Sequence, residues 1–181
     1  MQAILCVGDI VDGDGDVNDC CNLLKKYQVV TVMGNHDEWF LTNSMRNLPD
    51  ATPLGDVNQD SQQFIRNLPL ELEINTAAGN LLLCHGLGKK TMAKVRDDDF
   101  GYALDMNFEL QDLIKSNRYR FVINGHTHYK MVRNFGTMTV INASSLLYED
   151  AGFLTVDFTN RYLQFYTLGV SLPIILRKQA F

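Results

Sequence analysis

The chain has four histidines, and each follows an apolar, strand-like run: His36 follows VVTVMGN, His85 follows NLLLC, and His126 and His128 follow RFVING. Asp9 follows AILCVG in the same way. In VTVMGNHDEWF an amide, an imidazole and a carboxylate stand side by side at Asn35, His36 and Asp37. In open α/β sheets ligands bind just past the carboxyl ends of strands, so these residues could converge on one sheet edge. Imidazoles, a carboxylate and an amide oxygen suit Mn, Fe, Zn or Ni, and the amide oxygen argues against a closed structural zinc. A single histidine past a strand is more often a hydrogen-bonded structural residue, and an Asp or Asn beside Gly more often makes a turn. Those bland readings would have to hold at four separated places at once. The joint placement therefore favours metal binding.

Other chemistries are weaker. Asp12, Asp14 and Asp16 mimic the first ligands of an EF-hand, but Val17 stands where its Gly belongs and Leu23 where its Glu belongs. A solvated acidic turn is expected instead, with Asp16 capping a helix. No GxGxxG, P-loop, GxSxG or CxxC pattern occurs. Lys89, Lys90 and Arg96 could meet a phosphate, but isolated basic residues usually lie on solvated loops.

The elements that would position the site follow from periodicity. AILCVG and QVVTVM read as buried strands flanking a helix with Val17, Cys20, Cys21, Leu24 and Tyr27 on one face, a right-handed βαβ unit. Helices are predicted from Glu38 to about Asn47, from Gln59 to Asn67 and from Phe108 to Asn117. LELEI and NLLLC make a hairpin. RFVIN is another buried strand. KMVRNF, TMTVINA, GFLTVDF and RYLQFYTL alternate, so the last third should be mostly antiparallel. The apolar tail, residues 170–181, is expected to pack back on a single domain spanning 1–181. The pattern is a layered α/β sandwich with two sheets between helices.

Bulk properties set limits. With 181 residues, 46% hydrophobic and 20% charged, the chain is large enough for one real core. Its net charge of -5 and lack of a Lys/Arg cluster exclude strong nucleic-acid binding through phosphates. No run approaches the roughly 20 apolar residues of a membrane helix. The N-terminus lacks the basic region of a signal peptide. Cys6, Cys20, Cys21 and Cys84 suggest no disulfide framework, and a cytoplasmic location is expected.

GDIVDG, GNHD, CHG and GHTH occur in that order, each after a strand-like run. From Ala3 to about Leu168 the chain resembles the calcineurin-like metallophosphoesterases, in particular the small bacterial and archaeal YfcE-like phosphodiesterases. The resemblance implies a four-layer α/β/β/α sandwich and metal-dependent hydrolysis of a small phosphodiester or phosphomonoester, the diester favoured. It implies Asp9, Asn35, His85 and His126 as ligands of one metal. His128 would ligate another that Asp9 bridges. His36 would assist the leaving group of an attack by metal-activated hydroxide, and Asp37 would orient His36. The cofactor would be one or two divalent ions, Mn2+ foremost, with Fe, Zn or Ni as alternatives.

The chain departs from that family in one respect. Members normally begin with a further strand ending in Asp-x-His, which gives two ligands of the first metal, and no Asp-x-His occurs here. That site keeps only Asp9 and His128. Three accounts fit: a chain lacking its first βα unit, a shortened single-metal enzyme with weak activity, or a non-catalytic module serving as a binding scaffold, as the retromer subunit of this fold does. The missing strand should leave strand edges and apolar surface open. A rearranged N-terminus, the tail or a second subunit would cover them, and a homo-oligomer is expected.

Overall fold

The computed structural model describes residues 3–147, 151–169 and 174–180. Two strands start the chain, β1 (Leu5–Cys6) and β2 (Val30–Thr31). They are joined by helix α1 (Val17–Lys26) and paired in parallel, as expected of a βαβ unit. Asp16 caps α1 by accepting from the Asn18 and Asp19 amides. Then follow α2 (Asn35–Leu41), a 3-10 turn (Leu54–Asp56) and α3 (Gln59–Arg66). The hairpin β3 (Glu71–Thr76) and β4 (Gly79–Cys84) leads through α4 (Tyr102–Asp105) and α5 (Phe108–Ser116) to β5 (Phe121–Asn124). Strands β6 (Lys130–Phe135), β7 (Met138–Ala143), β8 (Gly152–Asp157), β9 (Tyr162–Thr167) and β10 (Ile174–Ala180) complete the order.

The main sheet runs β3-β4-β5-β7-β6, with β4, β5 and β7 parallel and the outer strands antiparallel. Alternation along its central strands divides its side chains between two cores. Leu82, Cys84, Val122 and Val140 pack with Leu110, Leu113 and Ile114 of α5. Leu81, Leu83, Phe121, Ile123 and Ile141 face the other way and meet Val32, Leu163 and Phe165. Beyond that layer, Val17, Cys21, Phe40 and Ile65 join α1, α2 and α3. The architecture is the four-layer α/β/β/α sandwich that the motifs imply.

Two expectations about the elements are corrected. The β1–β2 pair and the antiparallel β10-β9-β8 sheet share one core cluster but, among the described residues, no hydrogen-bonded ladder, so this inner layer is divided. With β2 as its one paired neighbour, β1 is only half-buried rather than fully buried, and Ile4 beside it is 62% exposed. The tail contributes β10, which pairs with β9; residues 170–173 and 181 lie outside the described residues. The second correction concerns α2, which begins at Asn35 rather than Glu38 and ends at Leu41. Gly34 is its N-cap, and the Asp37 carboxylate accepts from the Gly34 amide, so the Asn-His-Asp triplet is the first helical turn. Asn43 and Met45, with φ of 54° and 50°, follow its end.

Candidate metal centre

Strand direction brings the chemistry together. In the parallel pair β1–β2 both carboxyl ends emerge at one edge, which delivers Asp9 and Asn35. In the parallel pair β4–β5, Leu83 is in register with Ile123, and His85 and His126 emerge together. The Gly125 and His126 amides both donate to the His85 carbonyl oxygen, at 3.0 and 3.1 Å. His85 Nδ1 donates to the Val7 carbonyl oxygen at 2.6 Å, tying the β4 end to the β1 end.

His85 Nε2 is the hub of the cluster. It lies 2.9 Å from Asn35 Oδ1, 3.2 Å from Asp9 Oδ2 and 3.3 Å from His126 Nδ1. Among the described residues no set of three or more His, Cys, Asp or Glu side chains stands as a ready-made metal cage, and these donors hold one another by hydrogen bonds. Their spacing nevertheless fits an ion. Ligands about 2.1 Å from a metal at right angles to one another sit about 3.0 Å apart. The donor set, three nitrogen or carboxylate ligands plus an amide oxygen, is of the right chemistry. Asn35 and His85 are each 1% exposed, so their polar atoms are committed to this point and not to water.

The turns that carry Asp9 and Asn35 interlock. Gly8 has φ of 89°, and a Cβ there would stand 2.4 Å from the Gly34 nitrogen. A Cβ on Gly34 would stand 2.1 Å from Asp9 Oδ1. That oxygen accepts from the His36 amide at 3.0 Å. Asp37 closes the arrangement from beneath. It is fully buried and accepts from the amides of Asp9, Ile10 and Gly34, each at 2.9 Å. Burial pushes its carboxyl up to about 6, against the Gly34 and Ile10 amides that favour its charge.

The expectation that Asp37 orients His36 is therefore corrected. Neighbouring residues on a helix point about 100° apart and do not face each other. The carboxylate at His36 Nδ1 is that of Asp12, at 2.8 Å. Asp12 is also not the solvated turn residue expected, since its side chain is 2% exposed. Arg46 grips it with both terminal nitrogens, at 2.9 and 2.8 Å, and the Thr52 amide donates to it at 2.8 Å. Burial opposes its charge, but the Arg46 fork, the Thr52 amide and His36 outweigh that and hold its carboxyl below the usual range. The position of Asp12, three residues past Asp9 inside GDIVDG, was a readable signal. Arg46 and Thr52 had none.

Charge at the centre follows burial and neighbours. Burial and then the nearby His85 push His126 down to about 4, so its ring is neutral near pH 7 and carries a lone pair. Burial would lower His85, but the Asp9 carboxylate overrides it and raises it. Asp9 is lowered despite burial, by the same pair and by the His36 amide. His128, with φ of 64°, is lowered by burial, which outweighs the opposing Asp9 carboxylate. Lys89 is 72% exposed and 3.9 Å from Glu71, in keeping with a solvated loop. A cleft of about 350 Å3 lined by residues of 13–18 and 49–57 includes Thr52 of the Asp12 cradle and none of the four histidines.

Residues 1–160 match the family model of the calcineurin-like phosphoesterase superfamily domain. An uncharacterized protein of Methanocaldococcus jannaschii is 25% identical over 162 residues, which are 85% of this chain and 63% of that protein. The chain thus spans less than two thirds of that relative. A hypothetical protein from Pyrococcus horikoshii OT3 has a solved structure similar at a TM-score of 0.68 and 15% identity, covering 92% of this chain and 73% of that one. Vps29 of Entamoeba histolytica complexed with Zn2+ is similar at 0.56 and 14% identity, covering 99% and 82%. At such identities the structural likeness speaks for the fold alone.

Proposed function

The chain belongs to the calcineurin-like phosphoesterase superfamily, and from that premise we propose that it is a metal-dependent hydrolase of a small phosphodiester or phosphomonoester, with the diester favoured. The observation that carries this reading is the convergence of Asp9, Asn35 and His126 within 3.3 Å of His85 Nε2, with His36 on the adjoining turn. A divalent ion held there by Asp9, Asn35, His85 and His126, Mn2+ in our reading, would supply Lewis acidity toward a phosphoryl oxygen and make water acidic. His36 is tied to Asp12 through Nδ1, so in its doubly protonated form the ring donates to Asp12 with Nδ1 and presents the Nε2 proton to the departing oxygen, the ring being left neutral with its proton on Nδ1. Asp9 has two tasks, one oxygen toward His85 and the other fixing the His36 backbone. Asp37 is a structural clasp and no longer stands among the catalytic residues. Asp9, Asn35, His85 and His126 would hold one ion, and Asp9 with His128 would give two donors toward another.

The test is hydrolysis of bis-p-nitrophenyl phosphate by the Mn2+-loaded protein, beside its metal content. His36→Ala should lower turnover by about 10²- to 10⁴-fold with metal content unchanged. Absence of turnover with every divalent ion tried would overturn the reading. The divided inner layer and the lack of Asp-x-His favour a second one, a module that binds a partner without turnover.

A further inference from the structure

We propose that Arg46 is a positioning residue for His36, acting through Asp12 as the last member of a His36–Asp12–Arg46 chain. The inference rests on the hydrolase reading and goes beyond it in assigning a part to the loop between α2 and α3. The guanidinium spans both oxygens of Asp12, Nη1 to Oδ1 at 2.9 Å and Nη2 to Oδ2 at 2.8 Å. Two further donors are also taken up: Nε donates to the Ser44 carbonyl oxygen at 2.7 Å and Nη1 to that of Thr52 at 3.3 Å. Arg46 is 19% exposed, and with both Nη atoms committed to Asp12 it is not a phosphate-gripping side chain. Thr52 completes the cradle, its amide donating to Asp12 Oδ1 at 2.8 Å and its hydroxyl accepting from the Asp12 amide at 2.9 Å.

A carboxylate held at both oxygens cannot rotate, so Oδ2 stays fixed toward His36 Nδ1, 2.8 Å away. The planar fork supplies this in a way a point charge does not. The fixed acceptor holds the Nδ1 proton and sets the tilt of the ring, so that the doubly protonated form presents its Nε2 proton outward, as an outer partner does for a working histidine. Trp39 rests against the other side of the ring, with centroids 4.8 Å apart, and limits its swing. The step served is transfer of the Nε2 proton to the departing oxygen as the phosphorus–oxygen bond breaks and leaves its electron pair there. Phenolate needs that proton more than p-nitrophenolate does, so the two leaving groups report on His36 separately from binding.

Diphenyl phosphate and bis-p-nitrophenyl phosphate are compared on the Mn2+-loaded protein. Arg46→Met is expected to lower kcat for diphenyl phosphate by about 10- to 100-fold and for the nitrophenyl ester by less, with KM and metal content unchanged. Added to His36→Ala it should cause no further loss. Arg46→Lys, which can reach one oxygen at a time, should fall between wild type and Met and covers the case in which Met fails to fold. Equal losses on both esters, or a loss that adds to that of His36→Ala, would reduce Arg46 to a structural residue and overturn the proposal. A second readout needs no turnover. In 15N-labelled, Zn2+-loaded protein the His36 ring should show a protonated, hydrogen-bonded Nδ1 that Arg46→Met weakens. If that signal responds while wild type hydrolyses nothing, the hydrolase reading fails and the positioning role stands. If it does not respond, the positioning role fails whatever the activity.

Discussion

Two pairs of parallel strands deliver the centre, and they are built differently. Strands β4 and β5 lie inside the five-stranded sheet, and Leu81, Leu82, Leu83, Cys84, Phe121, Val122 and Ile123 are buried between two cores. His85 and His126 thus stand on a platform made by apolar packing. Strands β1 and β2 form a ladder of two residues each, half-buried, in a divided layer. What fixes Asp9, Asn35 and His36 there is polar: the Asp37 clasp on four amides, the Gly8–Gly34 interlock and the Asp12 cradle. A metal centre thus needs only a rigid frame, and either kind of interaction supplies it, but the two fail under different perturbations.

That contrast is broken most directly at Asp37. Asp37→Ala leaves the amides of Asp9, Ile10, Val11 and Gly34 without this acceptor and should cost roughly 3–5 kcal/mol of stability. It should also weaken metal binding, because Asp9 and Asn35 lose their placement; denaturant melts and metal titration measure both. Leu83→Ala on the apolar side should cost roughly 2–4 kcal/mol by opening a cavity, yet leave the metal content per folded chain unchanged. If its metal affinity fell as far as that of the clasp variant, the distinction between the halves would be lost.

Acid probes the halves more gently. His85 holds its proton more firmly than a free imidazole because of Asp9, so an ion entering the cluster must displace it. Metal affinity should fall by up to about tenfold per pH unit as the solution is acidified, and a proton-uptake titration against metal would read the released proton directly. An affinity independent of pH would place the ion elsewhere. The smallest effect concerns Asp12. Its folded carboxyl lies below the ordinary 3.8, so it stabilises the fold fully above that value, and the contribution is lost as pH falls through the lower, folded value. Asp12→Asn should flatten this acid limb in melts of the metal-free protein; an unchanged limb would assign it to other carboxylates.

The sequence was most legible where one residue type has one physical task. Asp16 caps α1 as its side-chain chemistry dictates, and the alternation of residues 130–143 forms the β6–β7 hairpin as its period requires. Histidine placement past apolar runs led to the sheet edge where His85, His126, Asp9 and Asn35 meet, because strand direction carries over into space. Asp37 and Asp12 were misjudged for one reason: both are carboxylates beside turns, and which donor each meets is set by contacts 24 to 40 residues away in sequence. The helical start at Asn35, not legible in the VTVM run before it, turned the Asp37 side chain beneath the turn.

By itself the sequence supplied the candidate donors, their order along the chain and the layered class with two sheets between helices, because residue chemistry and hydrophobic period are local properties. The tertiary structure alone decided that His85 Nε2 is the hub, that Asp12 rather than Asp37 serves His36, that Arg46 reaches in from a loop, and that the inner layer is divided. Those depend on how separate segments meet, and on burial, which turns a carboxylate into a clasp or a partner according to the donors left around it.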